Sequence, residues 1–360
     1  MLNPRQWTRD VLEKHSLDMR QFVGFRSATL PNGTRIVEAY NAAGLNFTIL
    51  PDRGLDIWTA SYKGLPLTWV SPGSPHPPDD GMMWLRQFNG GLLVTCGLTH
   101  VGPPEVDDKT GESRDLHGNA TRLRAGDVAI EGRWNAEDRY VVTLKGAVHE
   151  SRLFGEQMRL ERTYTLQLDS PVIQIDDTVT NIGDEPVPFM ILYHFNVGFP
   201  LIQQGTRLMS SGQVYARNEQ AMPGLPNWPL YNAPSASYLE QVFFHHVHAD
   251  TAGYSVAALN VHGEFGFAVR WRTTELPYLS QWKNTRQGIV VCGVEPGNCL
   301  PEGQNAARKN GRLVMLQPGE SQSFATALEV LDGGAAVQTV REEIESLSAE
   351  GRSVVGCKLP

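Results

Sequence analysis

From Leu45 to Leu331 the sequence is a succession of short alternating or β-branched runs, each closed by Gly, Pro, Asn or Asp. That rhythm limits the fold more than any other feature. LNFTILPDRGLDIWTASYKGLPLTWV (Leu45 to Val70) reads as three strands joined by a Pro-Asp-Arg-Gly turn and a Lys-Gly turn. RYVVTLKGAVH and MRLERTYTLQL alternate, and SPVIQIDDTVTNIGDEPVPFMILYHF reads as a strand, a turn and a more apolar strand. GYSVAALNV, FGFAVRWRT, GIVVCGVEP and SQSFATALEVL follow. Helical signal is confined to the ends. Asn3–His15 carries a possible Asn cap and a Pro in the first turn. Ala335–Ser348 places Val337, Val340 and Ile344 at helical spacing. Strands without intervening helices predict a mainly-β sandwich or barrel rather than a βαβ sheet.

No composition break divides the β region, so residues 1–360 read as one domain, with a helical arm over 1–20 and a helix over 333–350. SPGSPHPPDDG (Ser71 to Gly81) reads as a long surface loop, and Gln213–Ser237, rich in Asn, Pro and aromatics, as a second. Hydrophobic residues make up 41 % of the chain, enough for a large core. The net charge of −8 argues against a nucleic-acid partner, which needs a concentrated basic surface. The most basic stretch, RKNGR at Arg308–Arg312, reads as a solvated loop. The N-terminal residues are charged throughout, unlike a secretory signal, and no run reaches the roughly 20 apolar residues of a membrane helix. Of the four cysteines, Cys96 and Cys292 sit in apolar runs and read as buried thiols; Cys299 and Cys357 complete the set, and no CxxC pair occurs. A cytoplasmic location is expected, with no membrane partner.

Few residues stand out chemically. His194 lies inside the apolar run ILYHFNVGFP, His117 in the turn-like DLHGN, and His100 at the end of CGLTHVG. Each, taken alone, also fits a hydrogen-bonded core or loop histidine. Glu295 ends the very apolar run GIVVCGVEP. A carboxylate there either caps a turn or points into a cleft, where apolar walls raise its pKa and prepare it for proton transfer. His245, His246 and His248, beside Glu240 and Gln241, invite a metal reading; on a strand His246 and His248 share a face. The chain has no Walker loop, no GxGxxG after a strand, no HExxH and no GxSxG.

The segment TVTNIGDEPVPFMILYHFNVGFPL resembles the galactose mutarotase (aldose 1-epimerase) superfamily, in which a strand, a Gly/Asp turn with Pro and a histidine-bearing strand follow one another. VEPGN and the later QPGESQSF resemble the family's catalytic glutamate segment and its last strand, and DLHGN its Leu-His-Gly element. The resemblance implies a galactose mutarotase-like β-supersandwich. It also implies Glu295, His194 and His117 as the catalytic set. Arg86 and Asn89 in WLRQFNGG, His100, the Glu240-Gln241 pair, and Trp282 with Lys283 stand as substrate contacts. A second arginine after Asn89, an Asp-His pair at Glu240-Gln241 and a Tyr at Trp282 would complete the family pattern. Their absence points to a divergent member and away from galactose.

The implied activity is anomer interconversion of a free sugar, with Glu295 as base, His194 as acid and His117 at the ring oxygen. It needs no cofactor and no metal. A small-molecule carbohydrate is the expected partner, and a homodimer is the candidate assembly. Two other readings stand beside it. One is a lyase, hydrolase or other epimerase on the same fold, metal-assisted through His100, Glu105 and His248. The other is a sugar-binding protein without catalysis.

Overall fold

The computed structural model describes residues 4–348 apart from 74, 80 and 109. Residues 1–3 of the expected arm, residues 349–350 of the expected helix and Cys357 lie outside the described residues. Antiparallel pairing builds three main sheets. A five-stranded sheet spans Val23–Thr29 to Leu65–Pro66 in chain order. An eight-stranded sheet carries Gln157–Gln167, Val172–Asn181 and Ser321–Asp332 at its centre. The third sheet runs in the order Gln213–Ala216, Gln241–His246, Tyr278–Arg286, Ile289–Gly297, Val187–Val197 and Val314–Leu316, with Val94–Leu98 also paired to Val187–Val197. This is the mainly-β sandwich with few helices that the run of strands predicts.

The ends differ in detail from expectation. The first α-helix is Arg9–His15, not Asn3–His15, because extended Thr8 starts it and accepts the Val11 N–H on its hydroxyl. A separate 3₁₀ turn covers Pro4–Gln6. The last helix, Gly334–Leu347, buries Val337, Val340 and Ile344 against Val256, Ala258 and Ala268. A third helix, Gln304–Lys309, lies where a loop was expected: Gln304 and Ala307 are buried, and Arg308 and Lys309 close it. Gln213–Ser237 is not loop throughout, since it holds the strand Gln213–Ala216 and the 3₁₀ turn Met222–Asn227. No helix or strand forms in the described part of Ser71–Gly81. Cys96 and Cys292 are buried free thiols, as is Cys299. No helix among the described residues is long and apolar enough to cross a membrane.

The strand Val187–Val197 is buried on both faces, so it reads as an unbroken apolar run. Its odd-numbered residues Phe189, Ile191, Tyr193, Phe195 and Val197 join the main core. Phe189 and Tyr193 reach Phe324 of the eight-stranded sheet at ring-centroid distances of 5.8 and 6.4 Å. Met190 and Leu192 point the other way, into a second cluster with Trp84, Val94 and Cys96. His194 shares their parity, and the alternation of the pleat delivers it to that side.

Beneath the strand lies a buried charged network. Arg162 donates to Asp177 from Nε at 2.9 Å and from Nη2 at 2.7 Å. Its Nη1 donates to Thr95 Oγ1 at 2.9 Å and to the Gly54 carbonyl at 3.2 Å. Asp56 accepts from the Thr95 N–H and hydroxyl, and the Tyr193 hydroxyl donates to Asp177 at 2.7 Å. One guanidinium thus ties all three sheets together. Arg162→Met leaves Asp177 buried and uncompensated, and we expect a loss of about 3–5 kcal/mol. Urea unfolding checks this as a lower midpoint at unchanged slope.

Candidate active site

Two adjacent strands of the third sheet set the site. The register that pairs Phe195 with Val294 and Leu192 with Gly297 puts His194 opposite Glu295. Their side chains meet on the face away from the main core, with His194 Nε2 3.1 Å from Glu295 Oε1. Both residues are buried, at 6 % and 4 % exposure. The contact is one of proximity rather than alignment: His194 Nδ1 and Glu295 Oε1 are both buried without a hydrogen-bond partner. Gly293 makes room for the pair. A Cβ there would stand 2.3 Å from Glu295 Oε1, 2.9 Å from Trp282 Cβ and 3.2 Å from His194 Cε1. A glycine inside an apolar strand marks such close approach.

The pair opens onto a cavity of about 260 Å³. Three aromatic residues enclose its inner end. Trp282 and Phe88 stand 5.6 and 5.9 Å from the His194 ring, and Trp84 stacks on Phe88 at 4.7 Å. His117 enters from a loop whose backbone is pinned on both sides. Its N–H donates to the Gly102 carbonyl, and its carbonyl accepts from the Gly97 N–H. Its φ of 55° is left-handed, the neighbouring Gly118 has φ 73°, and its ring lies 6.2 Å from that of His194. Opposite, Arg217 follows the strand Gln213–Ala216, and exposed Glu240 accepts from Trp282 Nε1 at 2.9 Å.

Burial decides the ionisation here. It pushes the Glu295 carboxyl up to about 8, against the pull of Arg217 and with the help of Glu240. It pushes the His194 imidazole down to about 4. His117 falls to about 3, through burial first and then through His194, His100 and Arg217. At neutral pH the carboxyl therefore holds its proton and both imidazoles are neutral.

Of the residues expected from the sequence, Glu295, His194, His117, Glu240 and Trp282 come together around this cavity. Five do not. Arg86 ends the 3₁₀ turn Trp84–Arg86 and is exposed, while Leu85 and Phe88 take the cavity side. Asn89 is buried and lines a separate small space with Arg53 and Asp56. His100 donates from Nε2 to the Pro103 carbonyl and faces another cavity. The pleat turns Gln241 and Lys283 away from their neighbours Glu240 and Trp282. Gln241 accepts from the Tyr238 hydroxyl, and Lys283 Nζ donates to the carbonyls of Asn227, Trp228 and Leu230. Arg217 is the residue the sequence reading missed, since no motif distinguishes it within its aromatic stretch.

Of the metal-assisted set, His100 and Glu105 stay together, with Nδ1 3.5 Å from Oε1, and Arg114 pairs with that carboxylate. His248 is not with them: its Nδ1 donates to the Leu347 carbonyl, and neighbouring His245 bonds Ser210. Among the described residues no group of three His, Cys, Asp or Glu is placed to hold a metal ion.

The raised Glu295 pKa has a measurable consequence. The folded protein binds this proton more tightly than the unfolded chain, whose carboxyl titrates near the ordinary 4.5. The stability it contributes is present below about 4.5 and is lost as pH rises toward about 8. Thermal unfolding across that window should show a slope that Glu295→Gln flattens. An unchanged slope in the variant would place the titration elsewhere.

Comparison with known proteins puts this geometry in context. The family model described as a domain of unknown function (DUF4432) matches residues 31–330. No curated protein matches. Among solved structures, a protein from Klebsiella pneumoniae provisionally described as an aldose 1-epimerase is similar at 27 % identity and a TM-score of 0.85, over 94 % of this chain and 90 % of that one. A galactose mutarotase-like protein from Clostridium acetobutylicum shares the fold at 15 % identity and a TM-score of 0.58, over 87 % of this chain and 99 % of that one. The galactose 1-epimerase of Lactobacillus acidophilus does so at 13 % identity and a TM-score of 0.55, over 87 % and 99 %. With the fold and the matched span in agreement, the chain belongs to the DUF4432 family, and it shares the fold of the galactose mutarotase-like proteins.

Proposed function

We propose that the cleft interconverts the anomers of a free aldose by acid–base catalysis. The observation that carries this reading is the buried contact of Glu295 with His194; burial raises the carboxyl and lowers the imidazole, which favours one titratable proton on the pair at neutral pH. Mutarotation needs one group that gives a proton and one that takes a proton, acting on two oxygens of the same carbon. Two groups in contact can serve both.

The ionisation favours the reverse of the roles expected from the sequence. Neutral His194 takes the proton of the anomeric hydroxyl. The C1–O5 bond breaks as the C1 carbonyl forms, and the departing electron pair on O5 takes the proton of Glu295. The aldehyde rotates, and the same steps run backwards on the other face. The open-chain state leaves a carboxylate beside an imidazolium, an ion pair that their contact favours in a poorly solvated site. His117 stays neutral and holds a sugar oxygen. The aromatic walls exclude water and cover the apolar face of the ring.

The pair works only while it holds one proton, so its pH limits are properties of the pair. Anomer exchange should be flat between about 4 and about 8. It should fall above about 8 as the pair loses its proton, and below about 4 as it gains a second. Polarimetry across the range measures both limits. Glu295→Gln should slow exchange by about 10²–10⁴-fold while sugar binding persists. A fully active Glu295→Gln enzyme overturns the mechanism. Sugar binding with no acceleration by the wild-type protein would instead support the binding-protein reading.

A further inference from the structure

We infer that the cleft prefers an aldose lacking one hydroxyl of its fully hydroxylated parent, on the ring or on the exocyclic carbon, that is, a deoxy sugar. The inference rests on the mutarotation reading and concerns what the walls accept. Among the described residues, outside His117, His194 and Glu295, the charged side chains lining the cavity are Arg217 and Glu240, and the two indoles Trp84 and Trp282 each add one N–H. One Glu240 oxygen is already taken by Trp282 Nε1. The rest of the lining is hydrocarbon or aromatic ring. Trp84 and Leu85 come from the 3₁₀ turn and Phe88 from just after it, and Leu116, Val242 and Pro301 come from three other segments.

The local sequence held polar alternatives. Arg86 and Asn89 directly follow Leu85 and Phe88 in the chain, yet Arg86 lies outside the cavity and Asn89 is buried in a different space. The turn therefore presents hydrocarbon where a fully hydroxylated ring needs partners. A hydroxyl pressed against that wall gives up its water and receives nothing in exchange. A sugar with hydrogen or methyl at that position loses nothing and gains apolar contact. The apolar surface also adjoins the reacting end, since Phe88 and Trp282 flank His194 and Trp84 flanks His117 at 5.3 Å.

Apolar pockets discriminate against an added hydroxyl by up to about 10²-fold. We therefore expect a preference of about 10- to 100-fold for at least one deoxy aldose over its fully hydroxylated parent. Saturation-transfer NMR on the full-length protein reads binding and anomer exchange together. The panel is 2-deoxy and 6-deoxy aldoses, each beside its parent. Leu85 is 67 % exposed, so Leu85→Asn adds a hydrogen-bonding group to the wall without opening the core. That variant should narrow the preference several-fold by improving the parent sugars. Parents that bind and exchange as well as every deoxy analogue overturn the inference, as does a preference that Leu85→Asn leaves unchanged. If no aldose exchanges faster than in buffer, the mutarotation reading fails on its own, and the binding arm still decides the hydroxyl preference.

Discussion

The buried guanidinium of Arg162 is the interaction on which the rest of the molecule hangs. It sits where three sheets meet and draws Asp177, Asp56 and Thr95 around it. A charge this deep is tolerable only when every partner is in place, so the network specifies one arrangement of the sheets more than it adds net stability. Tyr193 joins it from the strand that carries His194 on the opposite face. The position of the imidazole is thus tied, one residue away, to a set of contacts that cannot slide without leaving a charge unpaired.

The same dryness acts with opposite signs on the two sides of that strand. On the core side the carboxylate and the guanidinium are close and well bonded, and the carboxylate holds the Arg162 pKa well above its ordinary value. On the cleft side the imidazole and the carboxyl are close but poorly aligned, and burial drives both toward neutrality. Alignment separates a structural ion pair from a pair able to exchange a proton. A well-bonded His194–Glu295 ion pair would be too stable to take part in chemistry. A solvated one would return to ordinary pKa values and lose its shared proton at neutral pH.

Much of the fold was legible because the turns are written in Gly, Pro, Asn and Asp. The strand runs of Leu45–Tyr62, Tyr140–Gln167 and Tyr254–Arg272 appear where the punctuation puts them, while the third strand read up to Val70 forms only over Leu65–Pro66. The polar residue in an apolar strand and the carboxylate at the end of another pointed to His194 and Glu295, and these two meet. The flanking contacts were not legible. Whether Arg86 or Leu85 faces the cavity depends on the rotation of a single 3₁₀ turn. Whether Trp282 or Lys283 does so depends on pleat phase, and a strand buried on both faces hides its phase. Arg217 is brought in by the pairing of Gln213–Ala216 with Gln241–His246, a connection that bridges a 24-residue gap without a motif. The first helix failed for a smaller reason: Asn3 and Thr8 are both capping residues, and choosing between them needs the backbone angles.

The bare backbone at Gly293 has a consequence for how such a cleft can change over time. Glu295 folds back over its own strand, so its carboxyl lies over the bare main chain of Gly293 as well as against His194. The two groups proposed to react are therefore anchored by strand register, which point substitutions rarely alter. The walls come from a short turn, a loop and a strand margin, all of which tolerate exchange. On the proposed function, a lineage can retune which sugar enters while the buried pair beneath stays as it is.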